Sequence, residues 1–141
     1  MRKYKVGYTT GVFDLFHIGH LNILRSAKEQ SEYLIVGVTS DEEAISVKNR
    51  RPVIPFEERI EIVRSIKYVD EAVKENNTDK LVAWDHYKFN AIFKGDDWKG
   101  NDKWIEYEKG FLKRKVKVVY FPYTKTTTST ILSKYLYNLL N

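Results

Sequence analysis

Gly11-Val12-Phe13-Asp14-Leu15-Phe16-His17-Ile18-Gly19-His20 lies between a strand-like stretch, Tyr4 to Tyr8, and a helix-like stretch, Leu21 to Gln30. A turn joining a first strand to a first helix is where α/β proteins commonly bind phosphate, because unpaired helix N–H groups and the helix dipole point there. Two histidines three apart set two imidazoles on one side of the helix start. The glycine before the second leaves room for a ligand to approach the backbone. Together these residues point to nucleotide chemistry.

Outward from this turn, strand and helix patterns alternate. Tyr33 to Val38 is a continuous apolar run, as in a strand buried on both faces. Pro55-Phe56-Glu57-Glu58-Arg59 opens a helix, with proline suited to its first position and the acids to the positive end of its dipole. Ile60, Val63 and Ile66 form its buried stripe. A short strand covers 68–73, and Thr78 can cap the next helix, which carries Leu81, Trp84 and His86 to Phe89. Ala91 to Phe93 reads as a strand, Trp104, Tyr107, Phe111 and Leu112 as a helix, and Val116 to Phe121 as the last strand. The final helix carries an apolar stripe of Ile131, Leu132, Tyr135, Leu136, Leu139 and Leu140. Five strands alternating with five helices predict an α/β fold, a Rossmann-like doubly wound parallel sheet with helices on both faces. A single domain over 1–141 is expected, with ligands at the carboxyl ends of the strands. The loops after the first, fourth and fifth strands are then the ones to search for chemistry.

Composition narrows the classes. The 141 residues are 43% hydrophobic and 30% charged, ordinary for a globular protein, with a formal net charge of +5. The basic residues alternate with acids except at 48–51 and 113–115. That excess suits either small anionic substrates or, as a non-enzymatic alternative, an RNA-binding module, and without a reader motif no nucleic acid is expected as partner. With zero cysteines, disulfides, thiolate metal sites and cysteine nucleophiles are excluded. No apolar run approaches a membrane span, no secretory leader follows the basic first residues, and the cytoplasm is the expected compartment.

The opening stretch resembles the HxGH motif of the nucleotidyltransferase superfamily, and its Phe-Asp-Leu-Phe-His form resembles the cytidylyltransferase branch. Arg64-Ser65-Ile66-Lys67-Tyr68-Val69-Asp70, Lys94-Gly95-Asp96-Asp97-Trp98-Lys99-Gly100 and Thr128-Ser129-Thr130 follow in the order of that branch. Together they resemble the glycerol-3-phosphate cytidylyltransferases along nearly the whole chain. The resemblance implies transfer of CMP from CTP to a phosphorylated alcohol. Glycerol 3-phosphate is the leading acceptor, giving CDP-glycerol for teichoic acid or capsule precursors. A phosphate monoester is already ionised near neutral pH and needs no general base, so catalysis rests on positioning and charge neutralisation.

By the same resemblance His17, His20, Lys48 and Lys67 form the catalytic set, Lys67 standing where the family carries arginine. Thr10, Gly11, Val12, Phe13, Asp14 and Gly19 surround the nucleotide in the first turn, with Asp14 either holding the loop or standing near the phosphates. Gly95, Asp96, Asp97 and Trp98 are placed at the base and ribose, the acids serving them or the Mg²⁺ that accompanies the triphosphate. No metal site of the protein's own is expected. Tyr123, Thr124, Lys125, Thr128, Ser129 and Thr130 make the last anion site, at a capped helix start. Tyr123 replaces the family's arginine there, Lys125 offers a substitute charge, Val12 replaces a frequent threonine, and 79–90 is longer than usual. Arg59 and Arg64 are read as partners of Glu57, Glu61 or the sheet edge. The resemblance also implies a homodimer; other polyol or amino-alcohol phosphates as acceptors, or adenylyl transfer to FMN, are the alternatives on the same fold.

Overall fold

The computed structural model describes residues 2–124 and 128–140. Its strands are β1 (Tyr4–Gly11), β2 (Ser31–Thr39), β3 (Glu71–Glu75), β4 (Ala91–Gly95) and β5 (Lys117–Phe121). Its helices are α1 (Ile18–Gln30), α2 (Asp41–Lys48), α3 (Phe56–Arg64), α4 (Lys80–Tyr87), α5 (Asp102–Lys113) and α6 (Ser129–Leu140), with a 3₁₀ turn at Asp96–Trp98. All strand pairs are parallel, in the order β3-β2-β1-β4-β5. This is the expected doubly wound α/β sheet. The order reverses at β1, so a crevice opens at the carboxyl ends of β1 and β4.

Side-chain alternation along the strands divides the interior in two. Leu34, Val36, Val38, Ala91 and Phe93 face Leu24 and Ala27 of α1 and Ile60 and Val63 of α3. Tyr8, Ile35 and Ile92 face the other way, against Trp104, Tyr107 and Phe111 of α5 and Phe89. Because both faces of β2 are covered, its sequence shows an unbroken apolar run instead of alternation.

Several local expectations are corrected. Six α-helices are present among the described residues; α2, which ends at Lys48, was not among the five expected. Pro55 is the N-cap of α3 and not its first residue, and Ile66 packs from the turn that follows the helix. The strand expected over 68–73 is β3, Glu71–Glu75. Asp79, not Thr78, caps α4: its carboxylate accepts from Leu81 N at 3.0 Å. The helix expected at the end of the chain is α6, and its stripe largely faces outward: Ile131, Tyr135, Leu139 and Leu140 are 56–83% exposed and Ser133 is the buried residue of that helix.

Candidate active site

The turn after Gly11 is forced into an unusual path. Phe13 and Leu15 hold left-handed backbone conformations, φ 54° and 50°, which cost a non-glycine residue about 1 kcal/mol or more each. Surrounding contacts hold them there. Phe13 is buried against Phe16 and His20. The Asp14 carboxylate accepts from Val53 N at 2.8 Å and Ile54 N at 2.9 Å, while its carbonyl accepts from the Ser129 hydroxyl. Asp14 therefore ties this turn to the 49–55 loop and to the start of α6, and its carboxylate is committed to those backbone groups.

The two histidines close the start of α1. His17 Nδ1 accepts from Gly19 N at 3.0 Å, and His20 Nδ1 accepts from His17 N at 3.2 Å, a reciprocal capping box made by imidazoles. Each ring uses Nδ1 as acceptor, so the neutral tautomer carries its proton on Nε2. The rings lie 3.9 Å apart, centroid to centroid. Burial lowers the pKa of His17, and burial with the charges of His17 and Lys48 pushes His20 down to about 3. Both are neutral Nε2–H donors at pH 7, with His20 Nε2 3.5 Å from the Ser129 hydroxyl. Gly19 is needed for this packing: a Cβ there would stand 2.8 Å from His17 Cε1. The His17 ring packs over that glycine, and Gly19 also lines the cleft described next.

A cleft of about 910 Å³ opens in front of these donors. It gathers Thr10, Gly11, Val12, Phe13, Asp14, His17, Gly19 and His20 from the first turn, and Lys48 from the end of α2. Gly95, Asp97 and Trp98 come from the end of β4, and Tyr123, Thr124, Thr128, Ser129 and Thr130 from the approach to α6. Thr128 Oγ1 caps α6 by accepting from Ile131 N at 3.1 Å, and Asn22 donates to Thr124 Oγ1 at 3.1 Å. Desolvation and the Arg50 guanidinium lower the pKa of Lys48. Arg25, Lys48, Arg50, Arg51 and Lys94 outnumber the lining carboxylates Asp14 and Asp97, so the cleft favours a polyanion.

Two expected site residues fall elsewhere, and a third is not among the described residues. Lys67 is outside the cleft lining: it stands between α3 and β3, with its ammonium 5.3 Å from the Tyr68 ring centroid. Asp96 supports the wall from behind, its carboxylate accepting from Tyr123 N at 3.0 Å. Lys125 lies outside the described residues.

The structure adds Arg59, which is 1% exposed. Its guanidinium donates to the carbonyls of Val12 at 2.7 Å, Thr39 at 2.8 Å and Ile54 at 2.8 Å, and to Asp41 Oδ1 at 2.6 Å. It thus clamps the ends of β1 and β2 to the cleft loop. Arg64 does pair with Glu61, at 3.0 Å on the surface, as the sequence suggested. A buried arginine bound to carbonyls of three distant segments leaves no local sequence signal.

A parallel α/β sheet with fixed imidazole donors, a capped helix start and excess cations at its switch point defines a nucleotide-phosphate-binding protein. The chain belongs to the cytidylyltransferase-like family, whose model matches residues 8–137. It is 36% identical over 124 residues to glycerol-3-phosphate cytidylyltransferase of Bacillus subtilis (strain 168), covering 86% of this chain and 89% of that one. It is also 36% identical over 114 residues to FAD synthase of Pyrococcus abyssi, covering 80% and 77%. Among solved structures, a lipopolysaccharide core biosynthesis protein from Thermoplasma volcanium superposes with a TM-score of 0.74 at 25% identity, covering 86% of this chain and 99% of that one.

Proposed function

We propose that this chain transfers CMP from CTP to the phosphate of a small alcohol phosphate, with glycerol 3-phosphate the leading acceptor, and releases pyrophosphate. The observation that carries this is the reciprocal His17–His20 capping, which aims two neutral Nε2–H donors into a cationic cleft. An acceptor phosphate oxygen attacks the α-phosphorus, and the bond from that phosphorus to the β-bridging oxygen breaks. No proton needs removing from the nucleophile, so the cleft's task is to hold two anions together. The imidazoles meet the charge developing on the α-phosphate and leaving oxygens. Lys48 bridges the reactants, and the N–H groups at the start of α6 receive the pyrophosphate end. Gly95, Asp97 and Trp98 flank the nucleoside.

Mg²⁺ fits this reading as an ion carried by the triphosphate. Among the described residues no group of three or more metal-ligating side chains exists, and Asp97 is the cleft carboxylate not already bound to backbone N–H groups. Such an ion supplies charge neutralisation to the phosphates, and one carboxylate is an ordinary protein share of its shell. The homodimer, a cytoplasmic location and a role in teichoic acid or capsule precursor supply belong to the same proposal. Sedimentation equilibrium reads the first of these.

Adenylyl transfer to FMN is a second reading, favoured by the likeness to the Pyrococcus FAD synthase. Pyrophosphate release measured with CTP, ATP, GTP and UTP against glycerol 3-phosphate, other alcohol and sugar phosphates and FMN separates the two. Turnover with CTP and an alcohol phosphate is expected; turnover with ATP and FMN alone would replace the proposal.

A further inference from the structure

On the face of the sheet that packs against α5, four of the five strands end in a polar residue. The alternation that buries Ile35, Tyr8 and Ile92 puts Thr39, Thr10 and Lys94 farther along β2, β1 and β4 on that same face. Glu75 joins them opposite Thr39 in the β2–β3 register. These four line a side pocket of about 220 Å³, which shares Thr10, Lys48, Lys94 and Trp98 with the main cleft. Lys80, Lys103, Trp104 and Tyr107 also line it, with apolar wall from Val12, Ala44 and Val47.

Charge is unevenly matched inside this pocket. The buried Glu75 carboxylate already accepts from Lys80 Nζ at 3.0 Å and Thr39 Oγ1 at 2.8 Å. The Lys94 ammonium, by contrast, makes no hydrogen bond or salt bridge to a described residue. It lies instead 5.1 Å from the Trp98 ring centroid and 5.9 Å from that of Trp104. On the neighbouring strand, the buried Thr10 hydroxyl makes no hydrogen bond of ordinary geometry and has the Tyr8 hydroxyl as a polar neighbour. A desolvated ammonium left without a hydrogen-bond acceptor is unfavourable unless a ligand completes it. Burial and the Lys80 charge, opposed by Glu75 and Asp97, bring the Lys94 pKa down to about 8, so it is still cationic at pH 7.

We propose that the side pocket receives the alcohol part of the acceptor and that Lys94, at its junction with the main cleft, binds an oxygen of the acceptor phosphate. Lys94 thereby selects acceptors that carry no cation of their own. Two tryptophans and a carboxylate would otherwise suit an alkylammonium head. Here Lys94 already lies over the aromatic faces, and Lys80 already neutralises Glu75. An ethanolamine or choline head would enter beside Lys80, Lys94 and Lys103, whereas a polyol would meet donors it can use. This inference rests on the alcohol-phosphate reading above and narrows it to hydroxylated, non-cationic acceptors.

Lys94→Met, which removes the charge at similar length, tests it through steady-state kinetics with CTP and either glycerol 3-phosphate or ethanolamine phosphate. KM for glycerol 3-phosphate should rise about 10- to 100-fold while KM for CTP stays within about twofold. The kcat/KM preference for glycerol 3-phosphate over ethanolamine phosphate should fall about 10-fold or more, and Lys94→Arg should restore it. A rise in KM for CTP alone, or an unchanged preference, overturns the proposal. If Lys94→Met does not fold, Lys94→Gln is measured against the same criteria. Should the wild-type protein release no pyrophosphate with any pair, the cytidylyl reading fails by itself. Calorimetric titration with glycerol 3-phosphate then decides: weaker binding by Lys94→Met supports the assignment, and equal binding by the two proteins overturns it.

Discussion

His17 and His20, the proposed catalytic pair, each give the Nδ1 lone pair to the backbone that starts α1, so position and tautomer are set by the same bonds. His17→Ala and His20→Ala should each lower kcat by about 10²-fold or more, the usual loss for one preorganised donor. Circular dichroism should show the fold retained. The pH dependence has a defined sign. With both pKa values held below 6.5, neutral donors persist as pH falls through that value, so kcat/KM for CTP should show no acid limb there. Stability behaves differently, because an unfolded histidine takes up a proton below about 6.5 while folded His20 does not. The unfolded state is therefore favoured as pH falls from 7 to 5. A urea midpoint that drops less over this interval in His20→Gln than in the wild type checks the effect.

Among the elements, α2 and α6 show where local pattern stops being informative. Along Asp41–Lys48 only Ala44 is buried, so the helix carries too little apolar periodicity to be read, although Ser40 caps it through Glu43 N at 3.1 Å. The apolar stripe of α6 was legible as a helix, yet periodicity says nothing of what covers it, and most of it faces outward. Motif order located the loops after β1, β4 and β5 correctly, because those motifs include the strand ends that carry them. Lys67 lies outside the cleft lining because its motif belongs to the approach to β3, at the amino end of that strand. Arg59 was unreadable in kind: its partners come from Val12, Thr39, Asp41 and Ile54, none implied by helical spacing. Arg59→Met should cost about 3 kcal/mol in urea unfolding, because Asp41 and three carbonyls lose their donor. Arg64→Ala, breaking an exposed i,i+3 pair with Glu61, should cost less than about 0.5 kcal/mol.

At the scale of the molecule, the sheet order sends every strand's carboxyl end to the edge that carries the cleft. CTP at 100 times its dissociation constant should raise unfolding free energy by about 2.7 kcal/mol. Hydrogen exchange should then slow at 11–20, 48–55, 95–98 and 128–133, and remain unchanged at 65–70 before β3. Protection centred on 65–70 would mean that nucleotide binds elsewhere. The bond from Ser129 to the Asp14 carbonyl adds a temporal consequence, since it joins positions separated by 115 in the chain. During synthesis on a ribosome, β1 and α1 emerge early, but the hydroxyl that braces their turn arrives only after the rest of the sheet. Nucleotide capture would therefore mark the end of folding and not its beginning, and a nascent chain halted before Ser129 would leave the histidine turn without its brace.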